Sequence, residues 1–146
     1  MKLIGFGKII DFCRSCGCSV STVVKAGFAD EDVIDRYGEN TISANDAILL
    51  LRSVANDRRL SLLEKAMANN VLKTRIPALL GARFRVSHKT GTYLKPRACN
   101  DIGIVWLPDA PFLISFLTEA QEDIGDTSQD IARCTHNLVR LITLTF

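Results

Sequence analysis

The sequence predicts an α+β protein in which an antiparallel sheet of at least three strands packs with helices. Residues 1–80 place apolar side chains at helical spacing, residues 83–118 alternate with period 2, and residues 127–144 return to helical spacing. Only short turn-like segments separate the strands, and short connections favour an antiparallel meander. We therefore expect residues 1–146 to form one domain with the order helices, three strands, helix.

The composition is that of an ordinary globular protein. The 146 residues are 47% hydrophobic and 23% charged, which gives no sign of disorder. The net charge of +2 arises from 18 basic and 16 acidic residues spread along the chain, so no nucleic-acid partner is predicted. Lys8, Asp11 and Arg14 interrupt the N-terminal stretch, which predicts neither a signal peptide nor a membrane span. Taken as written, the chain is expected in the cytosol.

The first helix is predicted from Lys2 to Cys16, and Gly17 is expected to end it. A short helical turn is predicted at Asp30–Tyr37. The residues expected on the apolar face of the first helix are Ile4, Ile9, Phe12, Cys13 and Cys16.

Two further helices are predicted before the strands. Ser43 is a good N-cap and Asp46, three residues later, makes a capping-box-like pair with it, so a helix should run to about Asn56. Ser61 is predicted to cap another helix that runs through Leu72. The residues expected to face inward from that helix are Leu62, Leu63, Ala66, Met67 and Val71.

Three strands and a last helix complete the prediction. The strands are Arg83–Lys89, Asp101–Leu107 and Phe112–Thr118, with a turn at Pro108–Pro111 before the third. The helix runs from about Thr127 to Thr143. Its expected packing face comprises Ile131, Cys134, Leu138, Leu141 and Ile142.

Five cysteines stand at positions 13, 16, 18, 99 and 134. The spacing Cys13-x-x-Cys16-x-Cys18 could supply metal ligands, but no matching pair of His or Cys follows, and structural zinc needs four ligands. The favoured interpretation is reduced thiols that act as small apolar fillers. No metal and no cofactor are predicted.

Lys89-Thr90-Gly91, followed by Thr92, is the motif with the clearest chemistry. A Lys at a strand end adds positive potential where an anionic substrate and a developing oxyanion are held. A Thr hydroxyl can donate to a carboxylate, and Gly91 lets a ligand lie close to an edge that can pair with a substrate amide. The structural alternative is a solvated turn at the strand end, with Asn100-Asp101 as a turn before the next strand.

The flanking order resembles a known family. Val86–Thr92, Asn100–Pro108 and Pro111–Ile114 resemble the strand–loop–strand–turn–strand passage of class A β-lactamases and related penicillin-interacting serine hydrolases. Gly38–Asp46 resembles the segment that leads into a helix after the family's omega loop. Ile4–Gly17 resembles the helix that follows the family's second motif.

The resemblance implies the C-terminal half of a β-lactamase/transpeptidase-like fold, and hence a single incomplete domain. It implies hydrolysis of β-lactams by serine acylation and deacylation, a role in antibiotic resistance, and a periplasmic or secreted location. Lys89 and Thr90 would bind the carboxylate of a β-lactam or an acyl-D-Ala peptide. Gly91 would admit the substrate, and the Thr92 backbone N–H would be an oxyanion-hole donor.

The family's catalytic motifs are missing from the sequence. Neither S-x-x-K, which carries the nucleophile, nor S-D-N occurs. Thr22-Val23-Val24-Lys25 and Ser43-Ala44-Asn45 imitate them, but turn chemistry and helix capping explain both locally. In the omega-loop region Asp30 or Glu31 could stand in for the deacylating Glu, although a solvated acidic turn is favoured. No catalytic residue is therefore predicted in this chain, which should be inactive alone.

The sequence also admits alternatives to a hydrolase fragment. The chain could be a non-catalytic α+β binding or dimerisation module with an incidental Lys-Thr-Gly, or a truncated reading frame. A β-lactam or acyl-D-Ala-like ligand is expected if an N-terminal half completes the fold, and an exposed sheet edge could support a homodimer. His88 alternates with Lys89, so its side chain should lie on the other face of the strand, as a surface or packing residue.

Overall fold

A computed structural model describes residues 5–25, 39–94 and 97–144. The chain divides into two compact units, Met1–Leu50 and Leu51–Phe146. The helical turn predicted at 30–37, and with it the acidic candidates Asp30 and Glu31, lies outside the described residues.

In the first unit, α1 (Phe6–Ser15) ends as predicted at Gly17, whose φ of 88° is the left-handed conformation that glycine adopts at helix ends. The Cys18 N–H donates to the Cys13 carbonyl at 3.0 Å, and the Gly17 N–H donates to the Arg14 carbonyl at 2.9 Å. These two bonds define a Schellman motif, in which the residues corresponding to Cys13 and Cys18 normally make an apolar contact. Both cysteines are 5% exposed, so they act as small apolar fillers.

The predicted apolar face of α1 is partly wrong. Ile9 and Phe12 are 37% and 41% exposed. The packing side of the helix is centred on Cys13, because the chain folds back over that side after Gly17.

The next helix, α2 (Ala44–Asn56), begins after Ser43 as predicted, and the Ser43 hydroxyl accepts the Asp46 N–H at 3.1 Å. The Asp46 carboxylate turns to the preceding loop and accepts from the Ser19 N–H at 3.1 Å and the Thr22 hydroxyl at 2.6 Å. Asp46, a member of the expected capping pair, thus also binds residues 19–22 to the start of the helix.

The second unit contains a 3₁₀ turn (Arg58–Leu60) and then α3 (Ser61–Ala68), which ends four residues before the predicted Leu72. Met67 is buried as expected, but Leu62, Leu63 and Val71 are 80%, 48% and 86% exposed and Ala66 is exposed too, so their predicted inward placement is wrong. Glu64 is the residue that faces the sheet, where it accepts from Arg85 and Ser87. Because successive helical residues are about 100° apart, Leu62 lies roughly 200° from Glu64 around the helix axis, on the side away from the sheet.

The sheet is an antiparallel meander of β1 (Arg85–Leu94), β2 (Arg97–Trp106) and β3 (Pro111–Phe116), in the order β1-β2-β3. The predicted α+β class and meander are confirmed. β1 continues past the predicted end at Lys89, so Lys-Thr-Gly lies inside the strand. Asn100 and Asp101 lie within β2. They are not a turn.

One face of the sheet packs against α4 (Ile124–Leu144), which begins three residues before the predicted Thr127. Leu138 and Leu141 are 37% and 63% exposed and Cys134 is exposed, so this part of the predicted packing face is wrong. The buried residues of α4 are Ser128, Ile131, Ala132, Thr135 and Val139.

The core of this unit draws on the sheet, on α4 and on the connector before β1. Its buried members are Ile76, Leu80, Val86, Cys99, Val105, Ile114, Ile131 and Val139. None of the helices in the described ranges combines the length and the apolar character that a membrane span requires.

Candidate functional site

Lys89–Thr92 lies on the edge strand of the sheet. β1 pairs with β2 on one side, and no strand among the described residues pairs with its outer side. An unpaired edge exposes backbone donors and acceptors that an extended ligand can use.

The register of the sheet determines which backbone groups face that outer side. Thr92 lies opposite Cys99. The Cys99 N–H donates to the Thr118 hydroxyl at 2.8 Å, and the Cys99 carbonyl accepts from it at 3.0 Å, so both groups point away from β1. Thr92 and Cys99 are therefore a non-hydrogen-bonded pair, in which the N–H and C=O of Thr92 face the outer edge.

The same alternation applies two residues earlier. The Thr90 carbonyl also faces outward, where it accepts from the Lys89 ammonium group. The carbonyl of His88 accepts from the Asn70 side chain at 3.3 Å, which covers the edge at that point. The accessible part of the edge thus begins at Thr90.

The side chains of this strand are divided between two faces. Lys89 is exposed, whereas His88 and Thr90 lie on the opposite, buried face and are 0% and 6% exposed. His88 therefore lies where the alternation places it, and it is a buried residue rather than a surface one. Gly91 and Thr92 are exposed.

Arg75 contacts this strand from the buried side. Its guanidinium donates to the Gly91 carbonyl at 3.0 Å and to the Asn100 carbonyl at 2.5 Å, and it also donates to the Thr92 hydroxyl. Its Nε donates to the Ser128 hydroxyl at 3.3 Å. Sequence reasoning missed this residue, because a single Arg before an apolar connector carries no local signal.

The two cations, Arg75 and Lys89, give this part of β1 a positive potential. Arg75 is 5% exposed and is held by neutral oxygens. Within the described residues, neither Arg75 nor Lys89 forms an ion pair with a carboxylate. A carboxylate ligand near Gly91 and Thr92 would meet charge that the protein itself leaves unneutralised.

The residues that imitate the missing catalytic motifs have local roles. The Thr22 hydroxyl donates to Asp46 and is buried, and Ser43 caps α2. The Lys25 backbone N–H donates to the Asn40 side chain at 2.7 Å. The hydroxyls of Thr22 and Ser43 are thus occupied by structural hydrogen bonds.

The clustered cysteines also serve the fold. Burial, together with the negative charge of nearby Asp46 at Cys18, raises the pKa of the Cys13 and Cys18 thiols, which favours the protonated form over the metal-binding thiolate. No three His, Cys, Asp or Glu side chains of the described ranges converge on a point where a metal could bind.

Comparison with known proteins identifies the family. A sequence model of the β-lactamase enzyme family matches residues 1–140. The chain belongs to the β-lactamase enzyme family. A comparison of this β-lactamase-family sequence with curated proteins finds no match.

Solved structures of class A β-lactamases and a penicillin-binding protein share this fold. A β-lactamase from Sphaerobacter thermophilus DSM 20745 superposes with a TM-score of 0.81 at 18% identity, over 97% of this chain and 54% of that one. An ancestral (GNCA) class A β-lactamase gives 0.72 at 26% identity, over 97% and 56%. PBP-A gives 0.73 at 20% identity, over 97% and 52%, and an L158E mutant of PBP-A has been solved as an acyl-enzyme complex with penicillin G.

This β-lactamase-family chain therefore spans about half the length of the solved structures that it matches. The prediction of a partial β-lactamase-like fold agrees with that coverage.

Proposed function

We propose that this chain is the substrate-binding half of a β-lactamase-like serine hydrolase. Its ligand is a β-lactam or an acyl-D-Ala-like molecule that carries a carboxylate and an amide. Lys89, Thr90, Gly91 and Thr92 form the binding edge, and Arg75 adds the second positive charge.

One observation carries the proposal. An unpaired strand edge with an outward Thr92 N–H coincides with two cations that have no carboxylate partner among the described residues. The edge offers hydrogen bonds to an amide and a carbonyl, and the cations attract a carboxylate. A β-lactam presents these groups together, as does the acyl-D-Ala end of a peptide.

The 146-residue polypeptide should bind such a ligand without becoming acylated. The sequence holds neither S-x-x-K nor S-D-N, and the imitating residues Thr22 and Ser43 are engaged in structural bonds. Nucleophile and activating base act as a unit, so the loss of the nucleophile removes nearly all acylation. Hydrolysis would require an N-terminal half that supplies both motifs.

Titration of the ¹⁵N-labelled chain with penicillin G, followed by NMR, tests the binding edge. We expect saturable shifts of the Gly91 and Thr92 amides. Lys89→Ala removes a charge-assisted hydrogen bond and should weaken binding about tenfold. Lys65→Ala, which removes an exposed charge from α3, is the matched control and should leave the affinity unchanged.

Two results would contradict the proposal. One is an absence of shifts at Gly91 and Thr92 up to millimolar ligand. The other is equal affinity in the wild type and in Lys89→Ala. Either result would favour a binding or dimerisation module in which Lys-Thr-Gly is incidental.

A further inference from the structure

The Asp101 carboxylate lies at the centre of a buried hydrogen-bond network in the second unit. Asp101 and His88 are both 0% exposed. His88 Nδ1 lies 3.0 Å from Oδ1 and 3.1 Å from Oδ2 of Asp101, and the Ile76 backbone N–H donates to Oδ2 at 3.1 Å. A buried carboxylate needs such donors, because it has lost its water.

Both donors adjoin the cations of the binding edge. His88 immediately precedes Lys89, and the Ile76 N–H belongs to the peptide that joins Arg75 to Ile76. The Ile76 N–H belongs to a planar peptide unit, so its hydrogen bond to Asp101 restrains the Cα atoms of Arg75 and Ile76. The hydrogen bond to Nδ1 restrains the His88 side chain, whose Cα is next to that of Lys89 in β1. One carboxylate therefore restrains both the edge strand, at His88, and the connector that carries Arg75.

We propose, on the basis of the function proposed above, that Asp101 is a positioning residue. It fixes the positions of Arg75 and Lys89 relative to the binding edge. It acts through His88 and through the Ile76 N–H and does not contact the ligand. Asp101 lies opposite Thr90 in the sheet, so the restraint acts within the motif itself.

The close packing around His88 supports a specific role for its ring. Gly103 lies opposite His88, and a Cβ atom there would come within 2.9 Å of the His88 Cβ and 3.3 Å of the Ile76 Cδ1. A glycine at this position lets His88 and Ile76 approach β2 together. His88 Nε2 has no hydrogen-bond partner within the described residues, so Nδ1 carries the polar interaction of the ring.

The experiment compares four variants of the full 146-residue chain. Asp101→Asn removes the charge of the carboxylate. His88→Asn keeps an N–H donor near the Nδ1 position, whereas His88→Gln moves it toward the Nε2 position and away from Asp101. Asp109→Asn, in the exposed turn between β2 and β3, is the matched control for the loss of one carboxylate.

Three quantities are measured for each variant: the thermal midpoint, the solvent-exchange rate of the Arg75 Nε–H by NMR, and the dissociation constant for penicillin G. For Asp101→Asn and His88→Gln we expect exchange about tenfold faster and binding about tenfold weaker. His88→Asn should restore both quantities to within about twofold of the wild type, and Asp109→Asn should leave them unchanged.

A purely structural Asp101 would give a different pattern. The thermal midpoint would fall in Asp101→Asn and His88→Gln, while Arg75 exchange and ligand affinity stayed at wild-type values, and the inference would be wrong. If Asp101→Asn does not fold, the contrast between His88→Asn and His88→Gln decides between a positioning role and a purely structural one. If the wild type does not bind penicillin G, the proposed function fails, and the Arg75 exchange rate still tests the positioning role.

Discussion

At Gly103, β2 passes directly opposite His88 of β1. The two residues form a non-hydrogen-bonded pair, since the pairing alternates from Thr92 and Cys99, and the side chains of such pairs lie especially close. A Cβ at position 103 would also come within 3.2 Å of the Ser87 carbonyl oxygen. That backbone atom cannot move aside without disturbing the sheet.

Gly103→Ala is therefore expected to destabilise the protein by about 1–3 kcal/mol through overpacking. Urea denaturation monitored by circular dichroism measures the change. Gly91→Ala in the same sheet is the control, because its nearest contact would be the Asn100 Cβ at an ordinary 3.7 Å. Equal stability of Gly103→Ala and the wild type would show that the sheet can open at this position.

At the scale of the elements, the start of α2 shows how one helix terminus organises a loop. Hydrogen bonds from the Thr22 hydroxyl and from the hydroxyl and N–H of Ser19 lower the pKa of Asp46 from 3.8 to about 2. On the other side of the loop, the Arg14 side chain donates to the carbonyls of Val20 and Thr22 at 3.2 and 2.8 Å. The loop is thus held from α1 and from α2.

The lowered pKa of Asp46 has a consequence for stability at acid pH. A carboxyl group whose pKa is lower in the folded state contributes stability above its unfolded pKa, and the contribution is lost as the pH falls through the folded value. Between pH 4 and pH 2 the urea midpoint of the wild type should therefore fall more steeply than that of Asp46→Asn.

Urea titrations at pH 6, 4, 3 and 2 make this comparison. Asp130→Asn is the control, because its exposed side chain lies on the surface of α4 beside Arg133. It should keep the pH dependence of the wild type. Parallel pH profiles for the wild type and Asp46→Asn would mean that the loop bonds do not depend on the charge of Asp46.

At the scale of the whole molecule, the chain combines the proposed binding edge with an incomplete set of the family's catalytic motifs. It covers 54% of the β-lactamase from Sphaerobacter thermophilus and 56% of the ancestral class A enzyme. The sheet, α4 and Arg75 supply the charges and the edge of the proposed site, whereas the sequence supplies no S-x-x-K nucleophile.

The purified 146-residue chain should therefore not be labelled covalently by a fluorescent penicillin. Incubation followed by denaturing electrophoresis measures this directly, with a full-length class A β-lactamase whose acyl-enzyme accumulates as the positive control. A labelled band from the chain would reveal a nucleophile that the family motifs do not identify. Mapping the modified peptide by mass spectrometry would then locate it.

The sequence was sufficient for the order of elements and for the helix ends at Gly17 and Ser43, whereas Ser61, predicted as a cap, is the first residue inside α3. Gly17 and Ser43 act within a few residues of themselves, and the period-2 alternation of Arg83–Lys89 identifies β1 (Arg85–Leu94). The sequence was insufficient to predict which face of a short helix is exposed. Leu62 and Leu63 are apolar at helical spacing, but the sheet meets α3 at Glu64, and only the packing of β1 decides that.

By itself, the sequence determined the α+β class and the meander, because local periodicity encodes both. Its resemblance to the β-lactamase family predicted the membership that the family model confirms. Only the tertiary structure decided that Arg75 reaches Gly91 and Asn100, and that Asp101 holds both His88 and Ile76. These partners lie 13 to 25 residues apart along the chain. Buried polar groups must find partners wherever the folded chain brings them, and no local pattern specifies that place.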